Sequence, residues 1–325
     1  MWTRATAYVG RMLDPDLAAK VAETFDLGAE ARLTGPVASG RLGDVWKLST
    51  NRGAFAVKDA RFPVDPDEVA ADAAYQDRVR SHGVPMPAVV RTPAGEPMVD
   101  LGPGPVRVYE WVNVADRERR LDPGAIGRLV AAIHRVVVPA GGEVDPWYVE
   151  SVGEPAWHDL ATRLREARAP FVDRLEAVLP DVLAAEAMLV ATEPVQMCHR
   201  DLWADNILRS PGDGLVVLDW ENSGPGDPVG ELGVVLFEFG LGDVGRLQTL
   251  HASYVDAGGP ARLGSPGDLT MLIAQTGHIA QIGCERWLAA TTEEDRADNE
   301  AWVGEFLDEP VTLETVEVIL DATRG

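Results

Sequence analysis

The chain has 325 residues, 46% of them hydrophobic and 25% charged, a balance that fits a soluble globular protein and excludes wholesale disorder. Its formal net charge of −23 argues against a nucleic-acid partner, whose phosphates it would repel, and favours cationic ligands. Two cysteines, Cys198 and Cys284, give neither a disulfide framework nor a zinc cluster, and no apolar run has the length of a membrane span or signal peptide, so a cytoplasmic protein is expected.

A chain of this length exceeds what one core comfortably holds, and two unequal lobes are expected. Residues 15–27, with Leu17, Val21 and Phe25 at helical spacing behind Asp14-Pro15-Asp16, predict a helix inside a helical extension over residues 1–30. From 33 to 59 the texture turns to β, with two stretches joined by Asn51-Arg52-Gly53, and the second, Phe55-Ala-Val-Lys58, carries a lysine. Arginines outnumber lysines 26 to 3, so a lysine inside an apolar run stands out. Residues 66–80 read as a helix that Gly83-Val-Pro85-Met-Pro87 ends.

Short β-type runs follow at 88–91, 97–101 and Val106–Val112. Beyond 113 the pattern is mostly helical, near 123–137, 156–168, 171–191, 228–240, 244–257, 267–290 and 312–322, with short strands near 206–209 and 215–219. The expected class is α+β and bilobal: a small β-rich N-terminal lobe over 1–112 and a larger, mainly helical C-terminal lobe over 113–325.

The strongest chemical signal is His199-Arg200-Asp201-Leu202-Trp203-Ala204-Asp205-Asn206, which fills the pattern H-R-D-L-x-x-x-N. An Asp on such a loop can take a proton from an attacking hydroxyl, while an Asn five residues on turns back to hold a metal on nucleotide phosphates. Asp219, at the end of the apolar run Leu215-Val-Val-Leu, supplies a second metal ligand where a charge without a cation would be out of place. Asp201, Asn206, Asp219 and Lys58 are therefore the candidate catalytic residues, with Asn206 and Asp219 the candidate Mg2+ ligands. Lys58 resembles the lysine of the V-A-I-K strand that contacts the α- and β-phosphates. Upstream, Ala38-Ser39-Gly40-Arg41-Leu42-Gly43-Asp44-Val45 follows G-x-G-x-x-G-x-V except at Ala38, so Ser39, Gly40 and Gly43 are candidate phosphate contacts on what is equally a hairpin turn. Asp72 or Glu68, four apart on one helix face, is expected to orient Lys58.

These motifs together resemble the aminoglycoside phosphotransferase and choline kinase-like family, from Leu33 to at least Glu231. The resemblance extends to Val108-Tyr-Glu-Trp-Val112, similar to the linker that contacts the nucleotide base and placing Glu110 and Val112 there. It also covers Gly127–His134, similar to the first large-lobe helix, and Asp219-Trp-Glu-Asn-Ser-Gly-Pro-Gly-Asp227-Pro-Val-Gly-Glu231, where Glu231 replaces the more usual Asp. It implies a protein kinase-like fold, ATP or GTP with Mg2+, and phosphoryl transfer to a hydroxyl of a small molecule. A protein kinase is disfavoured because Asp219 leads to Glu231 within about a dozen residues, too few for an activation segment ending in A-P-E.

An aminoglycoside-type O-phosphotransferase is the leading expectation, with a choline, amino acid or amino sugar kinase, or a nucleotide-binding pseudokinase, as alternatives. A cationic acceptor suits the acidic chain, and Trp203, Glu221, Glu285 and Trp287 are the aromatic and acidic candidates for holding it. Residues 285–325 carry twelve acids against three arginines, either a solvated helix face or an attractor for such a substrate.

Overall fold

The computed structural model describes residues 15–39, 43–60, 65–102, 104–212 and 214–324. In chain order the elements are α1 (Pro15–Thr24), β1 (Arg32–Ser39), β2 (Gly43–Thr50), β3 (Gly53–Ala60), α2 (Pro66–Ser81), β4 (Val89–Val90), β5 (Met98–Asp100) and β6 (Pro105–Glu110). There follow α3 (Pro123–His134), α4 (Glu154–Glu166), α5 (Val172–Glu186), β7 (Gln196–Cys198), β8 (Ile207–Ser210), β9 (Gly214–Val217) and β10 (Gly224–Gly226). The chain closes with α6 (Pro228–Gly240), α7 (Val244–Asp256), α8 (Thr270–Ala289), α9 (Glu293–Asp308) and α10 (Leu313–Thr323). The mixed α+β class is as expected. The short β7 and β10, and α9, whose polar sequence lacks a clear apolar stripe, are elements the sequence pattern did not announce. Among the described residues no helix is long and apolar enough to cross a membrane.

An Asp-Pro pair starts several of these helices. Asp65, Asp122 and Asp227 each accept a backbone N–H of the first turn, and the following proline occupies a position whose N–H would have no partner.

The chain divides into two compact units, one up to Glu118 together with Asp201–Ser223, the other Arg119–Arg200 with Gly224–Gly325. Where a single boundary at 112/113 was expected, the segment Asp201–Ser223 groups with the first unit. The reason is visible in its bonds there, since the Val217 N–H donates to the Pro85 carbonyl at 2.9 Å and the Ala115 N–H to the Arg209 carbonyl at 2.9 Å.

In the first unit an antiparallel sheet runs β1-β2-β3-β6-β4, with β5 also paired to β6. Register places Trp46 across from Val57 and Val57 across from Val108, and this face packs with Val21 of α1 and with Phe25 just after it into an apolar core. The period of two then sends the neighbouring positions to the other face, where Val45, Lys58 and Arg107 lie in line. The β8–β9 hairpin and a 3-10 turn at Trp220–Asn222 complete this unit.

The second unit is built of helices around a core that includes Trp157, Leu164, Phe171, Leu175 and Trp287, with the β7–β10 ladder pairing Cys198 with Gly224. α3 packs closely on α7: a Cβ placed on Gly127 would lie 2.3 Å from the Leu250 carbonyl oxygen.

Candidate active site

Lys58 is delivered to its position by strand register, and its Nζ donates to Asp219 Oδ1 and Glu221 Oε2, each at 2.7 Å. Tyr109, from β6 on the same face, donates its hydroxyl to Glu221 Oε1 at 2.7 Å. Asp72 is buried in a bidentate pair with Arg107, at 2.8 and 2.6 Å, and Glu68 is exposed on α2. A planar guanidinium matches both oxygens of a carboxylate, a fit a lysine ammonium cannot offer, so Asp72 goes to Arg107 and Lys58 takes Glu221.

Burial opposes the charge on Lys58, but the Asp219 and Glu221 carboxylates outweigh it and raise the lysine above its ordinary value. Burial likewise pushes Asp219 up to about 7, despite Lys58, with the Glu221 charge adding to the effect. For Glu221 the attraction of Lys58 overcomes desolvation and holds the carboxyl well below the usual glutamate range. One lysine beside two buried carboxylates leaves the site short of positive charge.

Asp219 itself has φ of 58°, a left-handed backbone that is uncommon for a residue with a side chain and recurs at functional positions. Arg200, beside the base candidate, shares it with φ of 64°.

The Asp201 carboxylate is held through Oδ2, which accepts from Asn206 Nδ2 at 2.8 Å and Asn222 Nδ2 at 3.0 Å. The same Asn206 amide nitrogen also donates to the Asp201 carbonyl at 2.8 Å. Asn206 is fully buried, and its Oδ1 has no hydrogen-bond partner. An orphaned buried amide oxygen near the Asp219 carboxylate, which shares Lys58 with Glu221, is a donor set suited to Mg2+, which binds one or two protein oxygens and takes the rest from phosphates and water. Among the described residues no group of three acidic, histidine or cysteine side chains forms a self-sufficient metal site.

Within the second unit, Glu231 anchors the chain just before Asp201. Its Oε1 accepts the Arg200 N–H, its Oε2 lies 2.8 Å from His134 Nε2, and the Tyr254 hydroxyl sits 2.9 Å from His134 Nδ1. Gln275 adds a bond to the Arg200 carbonyl at 2.8 Å. The longer Glu in place of Asp thus spans both the loop backbone and the histidine. Desolvation opposes its ionisation, but the bond and charge of His134, the nearby His199 and the Arg200 N–H hold Glu231 below the usual glutamate value.

Of the other expected residues, Trp203 is half-buried in the loop between Asp201 and Asn206, where its carbonyl accepts the Asn206 N–H at 2.9 Å. Ser39 ends β1 in register with Asp44, Gly43 opens β2, and Gly40 lies outside the described residues. Glu110 ends β6 with its N–H on the Ala88 carbonyl at 3.0 Å, and Val112 follows, half-buried. Glu285 is exposed on α8. Trp287 is 7% exposed, edge-on to Phe171 at 5.5 Å, and has Arg296 over its ring at 5.6 Å. Residues missed from sequence are Tyr109, Arg107 and Asn222, whose roles depend on cross-strand register or on a turn and have no contiguous motif.

The fold is shared with known kinases. Across 96% of this chain and 99% of the other, a spectinomycin phosphotransferase crystallised with ADP and spectinomycin superposes with a TM-score of 0.70 at 10% identity. An aminoglycoside phosphotransferase from Alicyclobacillus acidocaldarius matches over 99% and 97% of the two chains, with a TM-score of 0.57 and 15% identity. A microcompartment-associated aminopropanol kinase gives 96%, 99%, 0.57 and 17% for the same measures. No curated protein sequence matches. Residues 34–264, well over half of the chain and spanning Lys58, Asp201, Asn206 and Asp219, match the model of the phosphotransferase enzyme family, and the chain belongs to that family.

Proposed function

We propose that this enzyme transfers the γ-phosphoryl group of ATP or GTP to a hydroxyl of a small cationic molecule, most closely in the manner of an aminoglycoside O-phosphotransferase. The observation that carries this reading is the Asp201 carboxylate, gripped through one oxygen by Asn206 and Asn222, on a loop that also brings in an unpartnered Asn206 Oδ1. Asp201 orients the acceptor hydroxyl and receives its proton as the acceptor oxygen bonds to the γ-phosphorus. The bond from that phosphorus to the β–γ bridging oxygen breaks, the nucleoside diphosphate leaves, and Asp201 releases its proton to solvent. Asn206 and Asp219 would hold Mg2+, which when bound neutralises phosphate charge. Lys58 steadies the α- and β-phosphates, and Glu221 with Tyr109 holds Lys58 in place.

A cationic acceptor is supported by the net charge of −23 and by the half-buried Trp203 between base and metal ligand, whose ring can receive an ammonium group. Nucleotide consumption is to be measured over aminoglycosides, cyclic-peptide antibiotics, macrolides, choline analogues, amino alcohols and amino sugars, with mass spectrometry for a gain of one phosphate. The similar structures named for spectinomycin and aminopropanol motivate two members of that panel. Asp201→Ala should lower turnover of the accepted substrate on the order of 10²–10⁴-fold with nucleotide affinity little changed. Wild-type turnover in that variant would sink the reading.

A further inference from the structure

A line of hydrogen bonds buried in the second unit has a direction that follows from both of its ends. Tyr254 of α7, His134 of α3 and Glu231 of α6 are each 0% exposed. At the far end the Ala261 N–H, which can only donate, gives its hydrogen to the Tyr254 hydroxyl oxygen at 3.0 Å. That hydroxyl also lies 2.9 Å from His134 Nδ1, its other partner among the described residues, so its own hydrogen is satisfied by pointing there. Burial raises the Tyr254 hydroxyl above its ordinary value, which keeps the hydrogen on. At the near end Glu231 is a carboxylate and can only accept, so His134 Nε2 donates to its Oε2 at 2.8 Å. Both ends ask for the same imidazole, neutral and with its proton on Nε2. The line finishes where Glu231 Oε1 accepts the Arg200 N–H.

We infer that Tyr254 is a positioning residue for phosphoryl transfer, fixing through His134 and Glu231 the peptide that leads the chain into Asp201. The inference rests on the reading of Asp201 as the base. Arg200 has φ of 64°, a left-handed conformation that a residue with a side chain keeps only where its surroundings impose it. Glu231 takes its N–H, and Gln275 donates to its carbonyl at 2.8 Å. A carboxylate grips an N–H in a set direction only if its own plane is fixed, and the second oxygen of Glu231 is fixed by His134. Without a partner on Nδ1 the imidazole could tilt about its bond to Glu231 or change tautomer. Tyr254 supplies that partner, and its ring meets His134 edge-on at 5.6 Å. The tyrosine is held in turn by the segment that follows α7. The Gly259 N–H bonds to the Tyr254 carbonyl at 2.9 Å, and a Cβ at Gly259 would lie 2.3 Å from Tyr254 Cζ, the atom that bears the hydroxyl. Gly259 and Ala261 thus reach the Arg200 peptide through a tyrosine, a histidine and a glutamate in series.

The test uses the full chain with Mg-ATP and the acceptor found by the panel above. Tyr254→Phe, which removes only the hydroxyl, should lower kcat on the order of 10–100-fold and leave the KM for ATP within about threefold. Gly259→Ala, which keeps the hydroxyl but forces the ring from its place, should lower kcat as well. In a Glu231→Gln background, where the line is already broken, Tyr254→Phe should have little further effect on kcat; an undiminished effect overturns the inference. Both variants lower the Tm, so a second set of readings is taken by NMR on the folded protein and needs no acceptor. With isotope-labelled histidine near neutral pH, the wild-type His134 signal, identified by its loss in His134→Asn, should show the proton on Nε2. A proton on Nδ1, or on both nitrogens, overturns the inference, and this reading stands even if a variant fails to fold. The Arg200 amide proton, donated to a carboxylate, should resonate far downfield in wild type and move upfield in Tyr254→Phe and Gly259→Ala. A lowered Tm with an unmoved Arg200 amide would make Tyr254 a packing residue only and also overturns the inference. Wild-type turnover in Asp201→Ala instead removes the base reading and leaves the NMR results untouched, so the two failures are told apart.

Discussion

Asp72 illustrates how one side chain can satisfy a sequence pattern while serving another partner. It lies on the helix and at the spacing from which a lysine would be oriented, yet both of its oxygens go to Arg107, and the two side chains are 7% and 8% exposed. Removing one member of such a pair leaves the other charge buried alone. Asp72→Asn is therefore expected to cost about 3–5 kcal/mol of stability in urea unfolding, with a much smaller effect on the KM for nucleotide at temperatures where the variant is folded. A KM effect without loss of stability would return Asp72 to the role of lysine partner. At this scale Asp201 and Asn206 drew notice because they stand in a contiguous motif, and Asp219 because it ends an apolar run, all three as candidates for the proposed chemistry. Glu221 was read only as an acidic candidate for holding the acceptor, and Tyr109 and Arg107 only as strand residues. Their meaning lies in β3–β6 register, which pairs Lys58 with Arg107 and cannot be read from either strand alone.

At the scale of elements, Asp-Pro starts and helical periodicity were readable because capping and amphipathicity are local, whereas β7 and β10, three residues each, carry too little pattern to announce themselves. The contact of α3 with α7 depends on a missing side chain. A Cβ at Gly127 would meet α7 backbone at two points, the Leu250 carbonyl at 2.3 Å and the Tyr254 N at 2.9 Å, and neither can swing aside as a side-chain end could. Gly127→Ala should destabilise by about 1–3 kcal/mol or more, read as a lower Tm. The α3 to α6 connection through His134 and Glu231 has a pH signature. Glu231 is held below its ordinary value of 4.5, so the unfolded chain binds more protons there than the folded one. The stabilisation it gives is present above that ordinary value and is lost as pH falls through the lower folded-state value. The Tm of wild type should therefore drop more steeply below pH 4.5 than that of Glu231→Gln, measured by scanning calorimetry over an acid pH series.

Over the whole molecule, the charge of −23 is a standing self-repulsion as well as an attraction for cations. Added salt screens both. Sodium chloride taken to about 1 M, where the Debye length is about 3 Å, should raise the Tm relative to low salt; a falling Tm would mean that specific ion pairs outweigh the net repulsion. A division into two parts was expected from chain length and from the change of texture. The membership of residues 201–223 was not, since a short polar loop and hairpin give no hint of which unit they will join. Their attachment has a consequence for the chain as an object that can be cut. If the polypeptide were divided between Glu118 and Arg119, one fragment would own Lys58 and the other Asp201, Asn206 and Asp219, although all four belong to a single unit. The proposed site would then be complete only when the two fragments rebuild the first unit. Kinase activity would then report the reunion of two polypeptides, which makes this junction a natural place to divide the enzyme into a complementation sensor.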